Sequence, residues 1–330
     1  MMHWFYMASL SAPIAALCAG WIGGIWPSLA LLWVTAGVFL LDHLGRRKQT
    51  QSTTGARSLP VLLAYAHLAL IGLGLSLIAQ APLSEAMPLM LSIGLISGQI
   101  SHPNAHELIH ASSRIKRMLG GMIYGTLLIG HHVSAHLRVH HVHVATPADP
   151  NSARFNEGFY AFFARAWIGS FRAGFQAEKH LRTGQSGLKH LHPYYSYLMW
   201  STITLTSAAF IAGTYGVFIW VFIAIFAQSQ ILLADYVQHY GLTRKMSANQ
   251  RYEPVGPAHS WNAPHWYSSA MMLNAPRHSD HHINPRKSFP ALDLTSEMPQ
   301  LPHSLPVMAV IALYPPLWRR VMHPRLDAIT

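Results

Sequence analysis

Residues 196–242 read SYLMWSTITLTSAAFIAGTYGVFIWVFIAIFAQSQILLADYVQHYGL, and this stretch decides the fold. It contains two apolar runs, at about 196–213 and 216–238, joined by a short turn between Gly213 and Gly216. Each run has about the 20 residues that an α-helix needs to cross a bilayer. The stretch therefore predicts a hairpin of two membrane helices, which ends in a polar segment containing His239.

Four further apolar runs lie upstream, at about 4–21, 25–44, 59–79 and 86–103. Short turns join them in pairs, and the first run lacks a basic leader, so we expect a retained helix there and not a signal peptide. The chain of 330 residues is 51% hydrophobic and only 11% charged, whereas soluble domains are about 25% charged. The sequence predicts an all-α polytopic membrane protein with six transmembrane helices in three hairpins.

The charge distribution sets the expected orientation. Lys and Arg number 23 against 12 acidic residues. If both termini lie inside, all 23 fall in the inside segments 1–3, 45–58, 104–195 and 239–330, which include Arg46, Arg47, Lys48 and Arg57, and the outside turns carry only Glu85. Topology thus explains the net charge of +11, so membrane lipid and not nucleic acid is the expected partner. A soluble protein with very apolar core helices fits this pattern poorly. We expect a single domain, 1–330, with a helical cytoplasmic cap formed by 104–195 and 239–330.

Histidine is unusually frequent, with 23 residues, and several lie close together in the inside segments. Histidines four apart share a helix face and can bind one metal ion. Because Cys18 is the only cysteine in the sequence, metal clusters that are held by several cysteines are excluded. The candidate ligands are His106 and His110, then His136, His140 and His141, then His239, and finally His278, His281 and His282.

Nine imidazoles are more than one ion can accept, so the sequence implies two metal ions. Imidazole suits Fe, Cu, Ni and Zn. Metal-bound histidines usually donate their second N–H to a carboxylate or carbonyl. The candidates for this supporting role are Glu107, Asp149, Asp235 and Asp280, with His131 beside the second cluster. Capping or solvation of helices is the alternative role for each carboxylate.

Other residues near these clusters carry weaker expectations. His102 precedes Pro103, which disfavours helix at His102, so the chain is expected to kink or restart there. His67 lies near the middle of a span, where a hydrogen-bonded packing role is expected. Trp33 lies mid-helix, away from the bilayer edges where tryptophan collects, and could limit the depth of a substrate channel.

The histidine motifs resemble the membrane-bound histidine-rich non-haem di-iron enzymes, specifically their alkane 1-monooxygenase and xylene monooxygenase branch. HELIH at 106–110, HLRVHH at 136–141, DYVQHYGL at 235–242 and RHSDHHINP at 277–285 carry the resemblance, which extends over most of 104–327. The sequence departs from the family pattern at Ala111, Ala135 and Ala275-Pro276. No histidine is lost, so these departures bear on the substrate and not on metal binding.

The resemblance implies two non-haem irons, O2 as co-substrate, and hydroxylation of a medium-chain n-alkane to a 1-alkanol. It also implies electrons from a separate rubredoxin or ferredoxin with its NAD(P)H-dependent reductase. The expected location is the bacterial inner membrane, with the termini and the di-iron site on the cytoplasmic side.

Alternatives within enzymes are a desaturase, or a hydroxylase of acyl, terpenoid or aromatic-methyl substrates. From another class, a metal transporter would need ligands along a mid-bilayer path, and a haem electron carrier would need paired histidines within the spans.

Overall fold

The computed structural model describes residues 3–44 and 58–329. Within these residues the chain is helical and forms no β-strand beyond isolated bridges such as Met246 to Tyr252, which confirms the predicted all-α class. Short helical turns occupy 132–143. In chain order the main helices are α1 (His3–Ile22), α2 (Trp26–Leu44), α3 (Leu59–Gln80), α4 (Leu83–His110), α5 (Arg114–Thr126), α6 (Phe159–Arg182), α7 (Tyr194–His239), α8 (Trp266–Met271), α9 (His278–Ile283), α10 (Leu305–Ala312) and α11 (Pro315–Asp327). The basic loop residues Arg46, Arg47, Lys48 and Arg57 lie outside the described ranges.

Among the described residues, five helices, α1 to α4 and α7, are long and apolar enough to cross a membrane. The 46-residue α7 contains non-helical backbone at Ala212 and at Gly213, whose φ is +60°. A Cβ on Gly216 would lie 2.2 Å from the Ala208 carbonyl oxygen, so the chain folds back on itself at this point. α7 is therefore a pair of antiparallel helices, and the arrangement fits the predicted six spans of a multi-pass membrane protein.

The fourth span differs from the prediction. It continues past Pro103 to His110, and His102 itself is helical, with φ −63° and ψ −56°. A π-helical turn at Ser97–Ser101 precedes it, and the His102 N–H bonds to the Ser97 carbonyl. Pro103 then lies in the first turn of the following α-helical part. Proline has no backbone N–H, and at this position its absence breaks no hydrogen bond within the helix. The expectation that helix is disfavoured at His102 was therefore wrong, although a new α-helical part does begin there, and the first histidine pair lies on the continuation of a membrane helix.

Helix α5 turns back alongside α4 and re-enters the helix bundle. A Cβ on Gly120 would lie 2.8 Å from the Ala105 carbonyl oxygen, so a larger residue would separate the two helices. Backbone carbonyls that end a helix inside a bilayer need protein partners. They receive them from α7 through Ser201 to Gly125, Trp220 to Thr126 and Gln228 to Leu127.

His67 of α3 lies beside the C-terminal end of α5. The Thr126 hydroxyl donates to the Ile123 carbonyl at 2.7 Å and therefore accepts from His67 Nε2, 2.8 Å away. His67 Nδ1 is left to accept from the Ser101 hydroxyl at 3.0 Å. Both ring nitrogens are satisfied, which agrees with the hydrogen-bonded packing role expected from the sequence.

Asp42 links the first hairpin to the segment that precedes the last histidine cluster. Its Oδ1 accepts the backbone N–H groups of Tyr267 and Ser268, each at 3.0 Å, in the first turn of α8. Free N–H groups at a helix start are stabilised by an acidic acceptor. Trp266 Nε1 also donates to the Leu41 carbonyl at 2.8 Å, so the end of α2 holds the start of α8.

We expect Asp42→Ala to loosen this junction at a cost of about 0.5–2 kcal/mol, the usual range for a lost helix cap. Amide hydrogen exchange of residues 263–283 in detergent would measure the effect. Asp42→Asn keeps an oxygen acceptor and serves as the control. Equal exchange in the wild type and in Asp42→Ala would contradict the capping role.

Candidate metal centre

The structure gathers all nine predicted histidines into two groups. Within each group the candidate ligand atoms lie within 4.8 Å of one another. One group contains His106, His110, His136, His141 and His281, and the other contains His140, His239, His278 and His282. The imidazoles come from the end of α4, the 132–143 segment, the end of α7 and helix α9, so four separate parts of the chain meet at one place.

In the five-membered group, Nε2 atoms face one another in series. His110 and His136 are separated by 3.0 Å, His136 and His141 by 2.9 Å, and His141 and His281 by 3.1 Å. Each Nε2 has one in-plane site, either a hydrogen or a lone pair. At most two of these three contacts can therefore be hydrogen bonds at the same time, so the nitrogens converge more closely than hydrogen bonding explains.

The four-membered group has the same geometry. His278 Nε2 lies 3.0 Å from His239 Nε2 and 3.1 Å from His282 Nε2, and His140 Nε2 is buried without a hydrogen-bond partner. Two nitrogens bound at about 2.1 Å and roughly 90° to one ion are about 3.0 Å apart. The observed spacings match that value, so the residues of both groups fit a metal ion.

Local helix geometry explains how the second cluster divides between the groups. Residues His136–His140 form a π-helical turn, in which residues five apart lie on one face. His136 and His141 therefore join one group, while His140 points to the other. Adjacent residues in the chain thus serve different groups.

The protonation state of these histidines also suits metal binding. Burial lowers the pKa of His136, His141, His278, His281 and His282 well below the usual value. They are therefore neutral near pH 7 and carry the lone pair that a ligand must offer. Neighbouring imidazoles lower these pKa values further, since two cations cannot share so small a space.

Asp149 supports the four-membered group. Its Oδ2 lies 2.8 Å from His140 Nδ1, and Ser152 Oγ and the Asn151 N–H donate to its carboxylate at 2.7 and 3.0 Å. Burial alone would raise the pKa of Asp149, but His140 and these donors hold the pKa below its ordinary value. The carboxylate remains charged, so it fixes His140 with Nε2 directed at the group.

The other supporting candidates contact different partners. Asp235 accepts from Asn151 Nδ2 at 2.6 Å. Asp280 accepts from Lys287 Nζ at 2.6 Å and from the Asp293 N–H at 2.7 Å. These two carboxylates hold loops around the site. None of these contacts reaches a histidine of either group.

Glu107 and His131 also have partners outside the two histidine groups. Glu107 Oε1 lies 3.5 Å from the Phe289 N–H. The His131 ring packs edge-on against Trp167 and Phe171 of α6. Sequence reasoning missed Asn151 and Ser152, which orient Asp149; the turn sequence ADPNS at 148–152 was the available signal.

Trp33 does not join the histidine groups. Its Nε1 donates to Ser11 Oγ at 3.3 Å, and its ring stands edge-on to Tyr267 at 6.2 Å between centroids. His102 lies closer to the site, with its ring 6.3 Å from that of His106, and its Nδ1 is 3.0 Å from the Tyr124 hydroxyl. His102 belongs to neither group.

A cavity of about 470 Å³ opens from the surface onto the five-membered group. His110 and His141 form part of its wall, and Arg117 and Arg286 line it as well. Arg117 donates to the Ala111 and Ser112 carbonyls at 2.9 and 2.5 Å, so it shapes the loop after α4. Arg286 is exposed.

Comparison with known proteins adds to this geometry. Residues 83–312 match the fatty acid desaturase family model. Over 242 residues, 72% of this chain and 63% of the relative, the sequence is 34% identical to alkane 1-monooxygenase 2 of Alcanivorax borkumensis. Identity to alkane 1-monooxygenase 2 of Pseudomonas aeruginosa is 35% over 246 residues, 72% of this chain and 64% of the relative. The chain thus spans less than two thirds of the length of these relatives.

A third relative matches over more of the chain. The hydroxylase component of xylene/toluene monooxygenase from Pseudomonas putida is 26% identical over 307 residues, 90% of this chain and 80% of the relative. These likenesses confirm the resemblance that the histidine motifs indicate.

Proposed function

Because this chain belongs to the fatty acid desaturase family, we propose that it is a membrane-bound monooxygenase that hydroxylates a terminal methyl group of a lipophilic hydrocarbon. The proposed reaction converts a medium-chain n-alkane to a 1-alkanol with O2. The observation that carries this proposal is the convergence of nine imidazoles into two adjacent groups. The alkane 1-monooxygenase relatives support the choice of substrate class.

Iron is the proposed metal in both groups. An all-imidazole set of ligands suits iron among other transition metals, and the family resemblance favours iron. Bound there, the two irons would supply activation of O2 for insertion of one oxygen atom into a C–H bond. The protein's own contribution is to hold neutral imidazoles at fixed spacing, to orient His140 through Asp149, and to enclose the centre with apolar helices.

The bacterial inner membrane is the proposed location, with the histidine groups on the cytoplasmic side. The distribution of Lys and Arg in the sequence supports this orientation. Gly23 and Glu85 lie together, since a Cβ on Gly23 would be 2.9 Å from Glu85 Oε2. The first two outside turns are therefore at the same end of the bundle, as the hairpin topology requires.

The direct test uses protein purified in lipid nanodiscs, with iron measured per chain and products identified by mass spectrometry under ¹⁸O2. Incubation with n-octane, a rubredoxin and its reductase should yield 1-octanol carrying one ¹⁸O atom. A double bond in place of the hydroxyl would indicate a desaturase. A haem absorption band, or protein without iron, would overturn the proposal.

An aromatic methyl group is a second candidate substrate. The match to the xylene/toluene monooxygenase component covers more of this chain than the matches to the alkane 1-monooxygenases do. This wider coverage favours an aromatic methyl group. Competition between n-octane and p-xylene in the same assay would decide between the two. The preferred substrate is the one with the higher kcat/KM.

We expect Trp33→Ala to shift the preference towards longer chains. The indole contacts Ser11 and Tyr267, so its removal leaves space beside α8. The ratio of kcat/KM for n-dodecane to that for n-octane should rise by at least about tenfold, since accommodating even one of the four additional methylenes in an apolar pocket is worth about that factor. Trp33→Phe should change the ratio less, and an unaltered ratio in Trp33→Ala would exclude Trp33 from the channel.

A rubredoxin is the proposed electron donor, and the cavity over His110 and His141 is the proposed docking surface. Arg286 is exposed at this cavity and would attract an acidic carrier. Arg286→Glu should slow reduction by rubredoxin about tenfold at low salt, with a smaller effect at high salt. Stopped-flow reduction would measure this, with exposed Arg172→Glu on α6 as the control. Equal rates for the two variants at low salt would contradict the assignment.

A further inference from the structure

Helix α6 has two apolar faces. One packs against the 132–143 segment: a Cβ on Gly174 would lie 2.9 Å from the Ala135 nitrogen, and Glu178 accepts from the Ser134 hydroxyl at 3.0 Å. The other is exposed, and we call it the aromatic face. It consists of Tyr160, Trp167, Ile168, Phe171 and Phe175. Amphipathic helices that carry exposed aromatic residues beside basic ones lie in the membrane interface, and the exposed Arg172 and Lys179 adjoin this face.

The contact between α6 and the second half of α7 lies at the edge of the bilayer. Residues of this half are exposed as far as Ile225, whereas none of 226–239 is exposed. Trp167 Nε1 donates to Gln228 Oε1 at 2.9 Å, just past the last exposed position. Tryptophan collects at membrane–water interfaces. Helix α6 therefore lies at the level where α7 leaves the lipid, on the side of the histidine groups.

The start of α7 contacts the same helix. The Tyr194 hydroxyl donates to the Phe171 carbonyl at 2.8 Å. Its ring stands edge-on to those of Phe171 and Phe175, with 5.3 and 5.2 Å between centroids. One turn further along α7, Leu198 and Met199 are exposed and would face lipid. The aromatic face thus continues into the lipid-facing surface of a membrane helix.

A pocket of about 620 Å³ lies between the end of α6 and the start of α7. Its wall combines the basic side chains of Lys179 and Arg182 with His190, and the aromatic rings of Phe175 and Tyr195. None of the described residues that line it is acidic. The pocket therefore suits an anionic group that is attached to an apolar one.

Arg182 is held in place at this pocket. Its Nε donates to the Leu191 carbonyl at 2.9 Å, and its Nη1 bonds to the Glu178 carboxylate. Arg138 approaches the same carboxylate at 3.5 Å, so one acidic group faces two guanidinium groups. With the exposed Lys179 beside them, the site keeps a net positive charge. Arginine and lysine are the side chains that bind phosphate groups most strongly.

We propose that this pocket binds the headgroup of an anionic phospholipid, from the leaflet on the side of the histidine groups. The phosphate lies beside Lys179 and Arg182, and the acyl chains lie along Phe175, Tyr195 and Leu198. A soluble phosphate ester would leave the adjoining aromatic face exposed to water. The position at the bilayer edge favours a lipid over an acidic protein. The site does not depend on the reaction proposed above.

The test is native mass spectrometry of the full chain in detergent micelles. The protein is titrated with phosphatidylglycerol and with phosphatidylcholine of the same acyl chains. Phosphatidylglycerol should bind at least about tenfold more tightly, and Lys179→Glu should remove this preference, since each basic residue near an anionic lipid surface contributes about fivefold. Lys179→Arg keeps the charge and should retain the preference. Arg251→Glu, the same charge reversal at an exposed position outside the pocket, should also retain it.

Two further measurements separate the lipid from other anionic occupants. Glycerol phosphate carries the phosphate without acyl chains, so it should compete at least about 100-fold more weakly than phosphatidylglycerol. Comparable competition would assign the pocket to a soluble phosphate ester. Weaker rubredoxin binding by Lys179→Glu, with unchanged lipid preference, would assign it to an acidic protein. Either result, equal affinity for the two lipids, or an equal loss in Arg251→Glu would overturn the inference.

Discussion

Replacing His278 by alanine should lower the metal content from about two ions per chain to about one, and should reduce hydroxylation more than about 100-fold. His278 Nε2 contacts both His239 and His282, so its removal takes the shared neighbour out of the four-membered group and leaves three donors. Loss of a residue that merely orients a ligand already costs about 10–100-fold in affinity or activity. Elemental analysis of protein purified in mild detergent measures the metal content directly.

Two further variants sharpen this result. His281→Ala leaves four donors in the five-membered group, so it should lose less metal than His278→Ala. His180→Ala alters an exposed histidine of α6 and should retain both ions. Full metal content in His278→Ala would remove the four-membered group as a binding site.

Asp149→Ala should weaken metal binding or activity by about 10–100-fold. The change leaves His140 Nδ1 without the acceptor that now lies 2.8 Å away, so the ring loses its fixed orientation. Asp149→Asn keeps an oxygen near Nδ1 and should show a smaller loss. Titration of apo protein with Fe(II) under anaerobic conditions measures the affinity.

A second histidine–carboxylate pair supplies the control. His259 Nε2 lies 3.2 Å from Glu253 Oε1, outside both groups. Glu253→Ala removes a longer and more exposed contact of the same kind and should leave the affinity for iron unchanged. If the two carboxylate variants behave alike, Asp149 has a general structural role and does not act on the metal site.

The sequence indicated which histidines converge because histidine spacing is a local property. His106 with His110, and His278 with His282, are four apart and share a helix face, so they appear in the sequence as motifs. The division between the groups was not predictable. It depends on the π-helical turn at His136–His140, which directs His140 and His141 to different groups.

The supporting residues were harder to predict because tertiary packing decides their partners. Asp149, Asp235 and Asp280 are all acidic residues near histidine clusters, yet only the first of these three contacts an imidazole nitrogen. The continuation of α4 past Pro103 was also missed, because the preceding π-helical turn has no clear signature in the sequence.

The contact between Asp42 and α8 bears on the design of chimeric enzymes. The family model begins at residue 83, so the first hairpin looks like an exchangeable module. Asp42 nevertheless bonds to the backbone of residues 267 and 268, inside the matched region. A hairpin grafted from another protein would need an acidic or amide residue at this position, or the graft would leave α8 uncapped and the final histidine cluster loosely held.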